Sequence, residues 1–158
     1  MNIRKGIKED MPAVLGLIKE LATFEKEPNA VVVTIADLKR DGFGESPLFH
    51  TFIAEENEEI VGMALYYYRY STWKGKTIHL EDLVVTEKMR GKGIGLSLYK
   101  SFLKEAKKQG VNRVEWSVLD WNKPAINFYL KSGALIDDYS KWKIVRMNKS
   151  LIEKFLSS

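Results

Sequence analysis

The sequence predicts a mixed α/β fold: a central, mostly antiparallel sheet of about six to seven strands, splayed at one point and flanked by helices. Three observations carry this. Three β-rich runs follow one another across short turns between residues 49 and 85, as in a meander. The clearest helical stripe in the chain comes directly after them, at residues 93–109. Helical and β patterns also alternate on either side of this block. With 158 residues, 45% of them hydrophobic, and no linker, repeat or low-complexity segment, one domain over residues 1–158 is expected.

Residues 2–5 open the chain as a short strand. Lys8-Glu9-Asp10 is a turn signal, and Pro12 falls in a first helical turn, where its missing N–H costs little. Val14, Leu17, Ile18 and Leu21 then recur at helical spacing up to about Phe24. Thr34 and Asp37 have the spacing of a capping box for a second short helix, which stops at Gly42-Phe43-Gly44. Strands follow at residues 49–55, 60–70 and 77–85, separated by Glu56-Asn57-Glu58 and Ser71-Thr72-Trp73-Lys74-Gly75. In the helix at 93–109, Ile94, Leu98, Phe102 and Ala106 form one stripe, lysines crowd the last turns, and Gly110 stops it. Residues 113–119 read as a strand, Asn122 as the N-cap of a helix over 124–131, and 134–139 with 142–147 as a closing strand pair. Residues 150–156 form a terminal helix with an apolar stripe.

Composition narrows the chemistry. No cysteine is present, which excludes disulfides, thiolate metal sites and a cysteine nucleophile. Two histidines, His50 and His79, are too few for a metal cluster, so no metal is expected. The net charge of +4 is spread along the chain and leaves no nucleic-acid footprint. The start lacks the apolar region of a signal peptide, and no apolar run is long enough to span a bilayer. A soluble cytoplasmic protein is the expectation, without nucleic-acid or membrane partners.

The segment Arg90-Gly91-Lys92-Gly93-Ile94-Gly95 sits between a strand and a helix. Glycine lets backbone N–H groups approach a bulky anion, and a helix start adds unpaired N–H groups and a positive dipole end. This is the make-up of a phosphate cradle. The Walker pattern fails, because no Gly-Lys-Ser/Thr follows at the required spacing, and the dinucleotide pattern fails because it would need glycine at Leu96. The pattern [RQ]-x-x-G-x-[GA] fits, read as Arg90, Gly93 and Gly95. A plain strand-to-helix turn would use the same residues.

The strand, this loop and the helix after it resemble the acetyl-CoA-binding motif of the GNAT acyltransferase superfamily. Several stretches are more narrowly similar to the diamine (spermidine/spermine) N-acetyltransferases: residues 17–26, Asp41-Gly42-Phe43-Gly44-Glu45-Ser46-Pro47, His79-Leu80-Glu81-Asp82, and Val118-Leu119-Asp120-Trp121-Asn122 with Phe128-Tyr129. Phe24-Glu25-Lys26, Trp73-Lys74-Gly75 and residues 118–122 are closest to the thialysine-acetylating branch. The resemblance covers residues 3 to about 142. It implies acetyl-CoA as co-substrate, a small-molecule primary amine as acceptor and, by analogy alone, a homodimer. It implies a CoA-binding set of Leu83, Val84, Val85, Arg90, Gly91, Lys92, Gly93, Ile94, Gly95, Leu96, Asn122, Lys123, Pro124, Ala125 and Tyr129. It also implies a substrate-binding set of Phe24, Glu25, Glu81, Glu115, Trp116 and Ser117. Phe24 stands where many relatives have tyrosine, which weakens a polyamine reading.

Acetyl transfer to an amine needs a base to take the amine proton, a donor for the developing oxyanion, and an acid for the leaving thiolate. Glu81 is the candidate base. Ile78 and Leu80 share one strand face, but beyond Glu81-Asp82 it is Leu83 and Val85 that do so, the one-residue slip of a β-bulge. Asp82 is expected to face the other way and to be structural. Tyr129 is the candidate acid, seven residues after Asn122 and so on the same helix face. An acetyltransferase for protein or aminoglycoside amines, or a CoA-binding module without turnover, stays open at this point.

Overall fold

The computed structural model describes residues 1–137 and 144–157. The chain groups into two compact units, Met1–Ser117 and Val118–Ser158.

The first unit is a two-face sandwich around one sheet. Its strands are β1 (Asn2–Lys5), β2 (His50–Glu56), β3 (Glu59–Ser71), β4 (Gly75–Val85) and β5 (Arg113–Glu115). They lie in sequence order, antiparallel throughout except for the parallel β4–β5 pair. The hairpin between β2 and β3 turns through Asn57 and Glu58, both at positive φ, which is the backbone a tight right-twisted hairpin requires. A sheet that is antiparallel from β1 to β4 agrees with the meander expected from the short turns.

Helix α1 (Met11–Phe24) packs on one face of the sheet and helix α3 (Ile94–Lys108) on the other. Met11, Val14, Leu15 and Leu17 of α1, with Leu38 of α2 (Ile35–Phe43), close over Ile53, Met63 and Val84. On the opposite face Phe102 of α3 packs against Tyr66, which stacks on Phe52. Both strand alternation and the helical stripes therefore reappear as the two sides of the core. The capping box expected for α2 is formed in both directions: Asp37 N–H donates to Thr34 Oγ1 at 3.1 Å, and Thr34 N–H donates to Asp37 at 3.0 Å.

The second unit contains α4 (Lys123–Lys131) and α5 (Lys149–Leu156), each started by an asparagine cap, Asn122 and Asn148. Two expectations are corrected. The strand expected over 113–119 is paired only at Arg113–Glu115, because its partner β4 is bulged beyond that point. In the expected closing strand pair, residues 134–137 and 144–147 are not in strands, and 138–143 lie outside the described residues. Five strands are thus present among the described residues rather than six or seven. No helix among them is long and apolar enough to cross a membrane.

Candidate active site

The bulge in β4 organises the site. Leu65 pairs with Asp82 and the next residue, Tyr66, with Leu80, so Glu81 has no partner across the ladder. Ile78 and Leu80 pair with Tyr68 and Tyr66 on the α3 side, and Val85 reaches the same side, where it meets Gly62 and Gly95. The extra residue accounts for the phase slip in the apolar pattern. Pairing of β4 with β5 stops at His79. From Leu80 to Val85 no described strand lies on that side, so the main chain there is an open edge that an extended ligand could join as a strand would.

Glu81 lies on the same face as Tyr67 and His79. The His79 Nε2 atom is 3.6 Å from Glu81 Oε2, and the Tyr67 ring stacks on His79. Burial, with the charge of Glu81 behind it, raises the Tyr67 hydroxyl above its ordinary value and keeps it a donor. Burial lowers His79 below the ordinary imidazole value, against the pull of Glu81. Arg69 Nη1 lies 3.5 Å from His79 Nδ1, on the other side of the ring from Glu81. The Glu81 side chain is still 53% exposed and open to solvent.

Asp82 does not face away from Glu81 as expected. It pairs with Leu65 and so faces the α1 side, within the field of Glu81 and of Glu25 at the end of α1. A bulge directs two successive side chains toward one face, which plain alternation does not allow. Burial first, then Glu81 and Glu25, push the Asp82 carboxyl up to about 6. Burial also raises Glu25. Three carboxylates, Glu25, Glu81 and Asp82, are thus gathered at one place. Because the folded value of Asp82 lies above its ordinary 3.8, the native state holds this proton more tightly than the unfolded chain. Stability is therefore lost as pH rises between those two values. Asp82→Asn removes that loss. The melting-temperature difference, variant minus wild type, should grow in the variant's favour from about pH 4 to about pH 7. A difference that stays constant would show that Asp82 titrates normally.

The glycine loop has the shape of an anion cradle. Gly91 and Gly93 hold φ of 75° and 79°, and no protein atom lies within 4 Å of where a Cβ would stand on either. Gly93 is the N-cap of α3 and no side chain caps the helix, which leaves its first-turn N–H groups to a ligand. Arg90 Nε donates to the Val85 carbonyl at 2.9 Å, which ties the loop to the end of β4. The same guanidinium lies 5.2 Å over the Phe24 ring and 3.8 Å from Glu20. Lys92 Nζ is 3.3 Å from Met89 Sδ. These residues fit the diphosphate of a CoA-type ligand: open main chain at its centre and two cations at its edge.

At the end of the first unit Glu115 is bound by Arg69 and by Arg113 Nε, the latter at 3.0 Å. Trp116 sets its ring edge-on to Tyr99, and Ser117 is exposed. Within the second unit the Asn122 side chain accepts from Ala125 N–H at 3.3 Å at the start of α4. Lys123 and Pro124 occupy the first turn of that helix. Tyr129 is 9% exposed, with its ring edge-on to Phe128.

Residues 16–134 match the sequence pattern of the acetyltransferase (GNAT) family. The chain belongs to the GNAT acetyltransferase family. GNAT acetyltransferases use acetyl-CoA as co-substrate, and this member is an acetyl-CoA-dependent N-acetyltransferase. It is 39% identical over 141 residues to the thialysine N-epsilon-acetyltransferase of Mus musculus, covering 84% of this chain and 83% of that protein. It is 40% identical over 156 residues to the spermidine/spermine N(1)-acetyltransferase-like protein 1 of Homo sapiens, covering 94% of this chain but only 22% of that longer protein. Among solved structures, an integron cassette protein from the mobile metagenome of V. cholerae superposes with a TM-score of 0.78 at 25% identity, covering 99% of this chain and 98% of that one. This GNAT chain thus brings Glu25, Glu81, Phe24 and Arg90 to one end of its sheet. It adds three groups that the motif reading passed over: Asp82, His79 and Tyr67. His79 could have been found from its position two residues before Glu81 on a strand, which is same-face spacing up to a bulge.

Proposed function

We propose that this protein acetylates a primary amine of a small cationic substrate of the thialysine, diamine or polyamine type, by direct attack in a ternary complex. Glu81 takes the amine proton through a water, and Tyr129 gives a proton to the CoA sulfur. The observation that carries the reading is the bulge, which leaves Glu81 unpaired beside an open strand edge and a helix start without a cap.

Acetyl-CoA supplies the activated acyl group. Main-chain groups of Leu83, Val84 and Val85 offer hydrogen bonds along the open edge, and residues 90–96 receive the diphosphate. The segment Asn122-Lys123-Pro124-Ala125 adds contacts from the start of α4. Glu25 and Asp82 concentrate negative charge for the ammonium group, and the family resemblance adds Phe24, Trp116 and Ser117 as substrate contacts. A lysine-like amine has a pKa near ~10.4, so its proton must be removed before attack, and a carboxylate held open to solvent suits that step. With no cysteine in the chain, no thioester on the enzyme can form, in keeping with direct transfer. The family match runs from the first compact unit into the second, over residues 16–134, which supports one acetyltransferase domain. By family analogy the working form is a homodimer, and the charge and apolar pattern of the sequence favours a cytoplasmic protein without nucleic-acid or membrane partners.

A thiol-release assay with acetyl-CoA against thialysine, lysine, ornithine, spermidine and an aminoglycoside tests the reading. Release with the first four and little with the aminoglycoside is expected. Release confined to the aminoglycoside would replace the substrate class, and no release with any amine would overturn the function.

A further inference from the structure

Beyond Glu81, the same sheet face carries a charge arrangement that the proposed reaction does not use. His79 lies next to Glu81, Arg69 Nη1 is 3.5 Å from the far nitrogen of His79, and the Arg69 guanidinium binds Glu115. Arg113 binds the other oxygen of the same carboxylate at 3.0 Å. All of these side chains stand on one face, because Tyr67 pairs with His79, Thr77 with both Arg69 and Arg113, and His79 with Glu115. Two guanidiniums thus share one carboxylate. Among the described residues no second carboxylate pairs with either, so one positive charge is left over. Both heads stay within reach of solvent, with side chains 50% and 42% exposed.

The face is therefore polar from end to end. Glu81, Asp82 and Glu25 make the bulge end negative, and Arg69 with Arg113 make the other end positive. An imidazole ring and contacts of 3.5 and 3.6 Å separate guanidinium from carboxylate. An amine on a chain of three or four carbons spans a gap of that size. A polyamine laid here would bring its second ammonium up to the guanidiniums, a like-charge contact that specific sites avoid.

We propose that Arg69 and Arg113 form an anion subsite, and that the preferred substrate carries a carboxylate or phosphonate at the end remote from the acetylated amine. This rests on the acetyltransferase reading given above. Glu115 is the subsite's internal counter-ion: it holds the two guanidiniums in place and competes with the substrate's anion for them. Arginine suits the task, since its planar fork binds carboxylates and phosphonates in a bidentate manner.

Matched amines differing only in the anion provide the test. The full chain is assayed by thiol release with lysine against cadaverine and with ornithine against putrescine, and 2-aminoethylphosphonate distinguishes a phosphonate from a carboxylate preference. Wild-type kcat/KM should favour each amino acid over its diamine by roughly tenfold or more, the scale of a charge-assisted contact. Arg69→Gln should bring that ratio toward one through the KM of the amino acid, and Arg69→Lys should restore part of it. Glu115→Gln should move the ratio the other way, lowering KM for the amino acid. A folding defect cannot tighten binding, so the opposite signs separate recognition from damage. Equal efficiency with amino acid and diamine in wild type, or ratios unmoved in both variants, would overturn this inference and leave the acetyltransferase function standing. Thiol release with no amine at all would instead overturn that function.

Discussion

Gly93→Val is expected to abolish acetyl-CoA binding, with a loss of roughly 10²-fold or more in affinity. That is the scale of two charge-assisted hydrogen bonds at about 1.5 kcal/mol each. Gly93 has φ of 79°, and its would-be Cβ meets no protein atom within 4 Å. A side chain there strikes nothing in the protein itself. It occupies the space in front of the uncapped start of α3, where the diphosphate has to approach. A β-branched residue at positive φ also strains the backbone by about 1–2 kcal/mol, so a control for strain is needed. Gly110 provides it: its φ is 61°, its surroundings are also open, and it lies just past the other end of the same helix. Gly110→Val should carry a comparable stability cost and leave acetyl-CoA binding intact. Calorimetry showing unchanged affinity for Gly93→Val would remove the phosphate-cradle assignment.

Glu81→Gln and Tyr129→Phe should each lower turnover by about 10²-fold, the usual scale for a lost general base or acid. The two should differ in character. Gln at position 81 keeps the shape beside His79 and Tyr67 but cannot take a proton, so the loss should fall on kcat and should shrink with amines of lower pKa. Phe at position 129 keeps the ring that packs on Phe128 and removes only the hydroxyl. Its effect should depend on the thiol leaving group rather than on the amine. Near-wild-type turnover in both variants would sink the assignment of roles.

A good part of this was legible along the chain. The Thr34–Asp37 capping box, the Asn122 cap, the apolar stripe of α3 and the glycine loop are local signals, each set by hydrogen bonds or packing within a few residues. The bulge was also legible, since one extra residue reverses the apolar phase of a strand whose face is buried. The carboxylate cluster was legible only in part. Glu25 and Glu81 were picked out by motif, but Asp82 was assigned to the wrong face, because alternation holds on either side of a bulge and fails within it. The length of β5 escaped notice for a related reason: where a strand ends depends on how far its neighbour stays within hydrogen-bonding distance.

The sequence by itself determined the family, the glycine turn before α3 and the phase slip at Glu81, all of which depend on residue type and spacing over short stretches. Only the tertiary structure decided which side chains meet. The packing of α1 across the sheet sets Glu25 near Asp82 and Phe24 under Arg90, more than fifty residues away along the chain. The pairing of β3, β4 and β5 sets Arg69, His79 and Glu115 on one face. Such contacts follow from strand register and helix docking, in which every residue of the core takes part, and no local pattern encodes them.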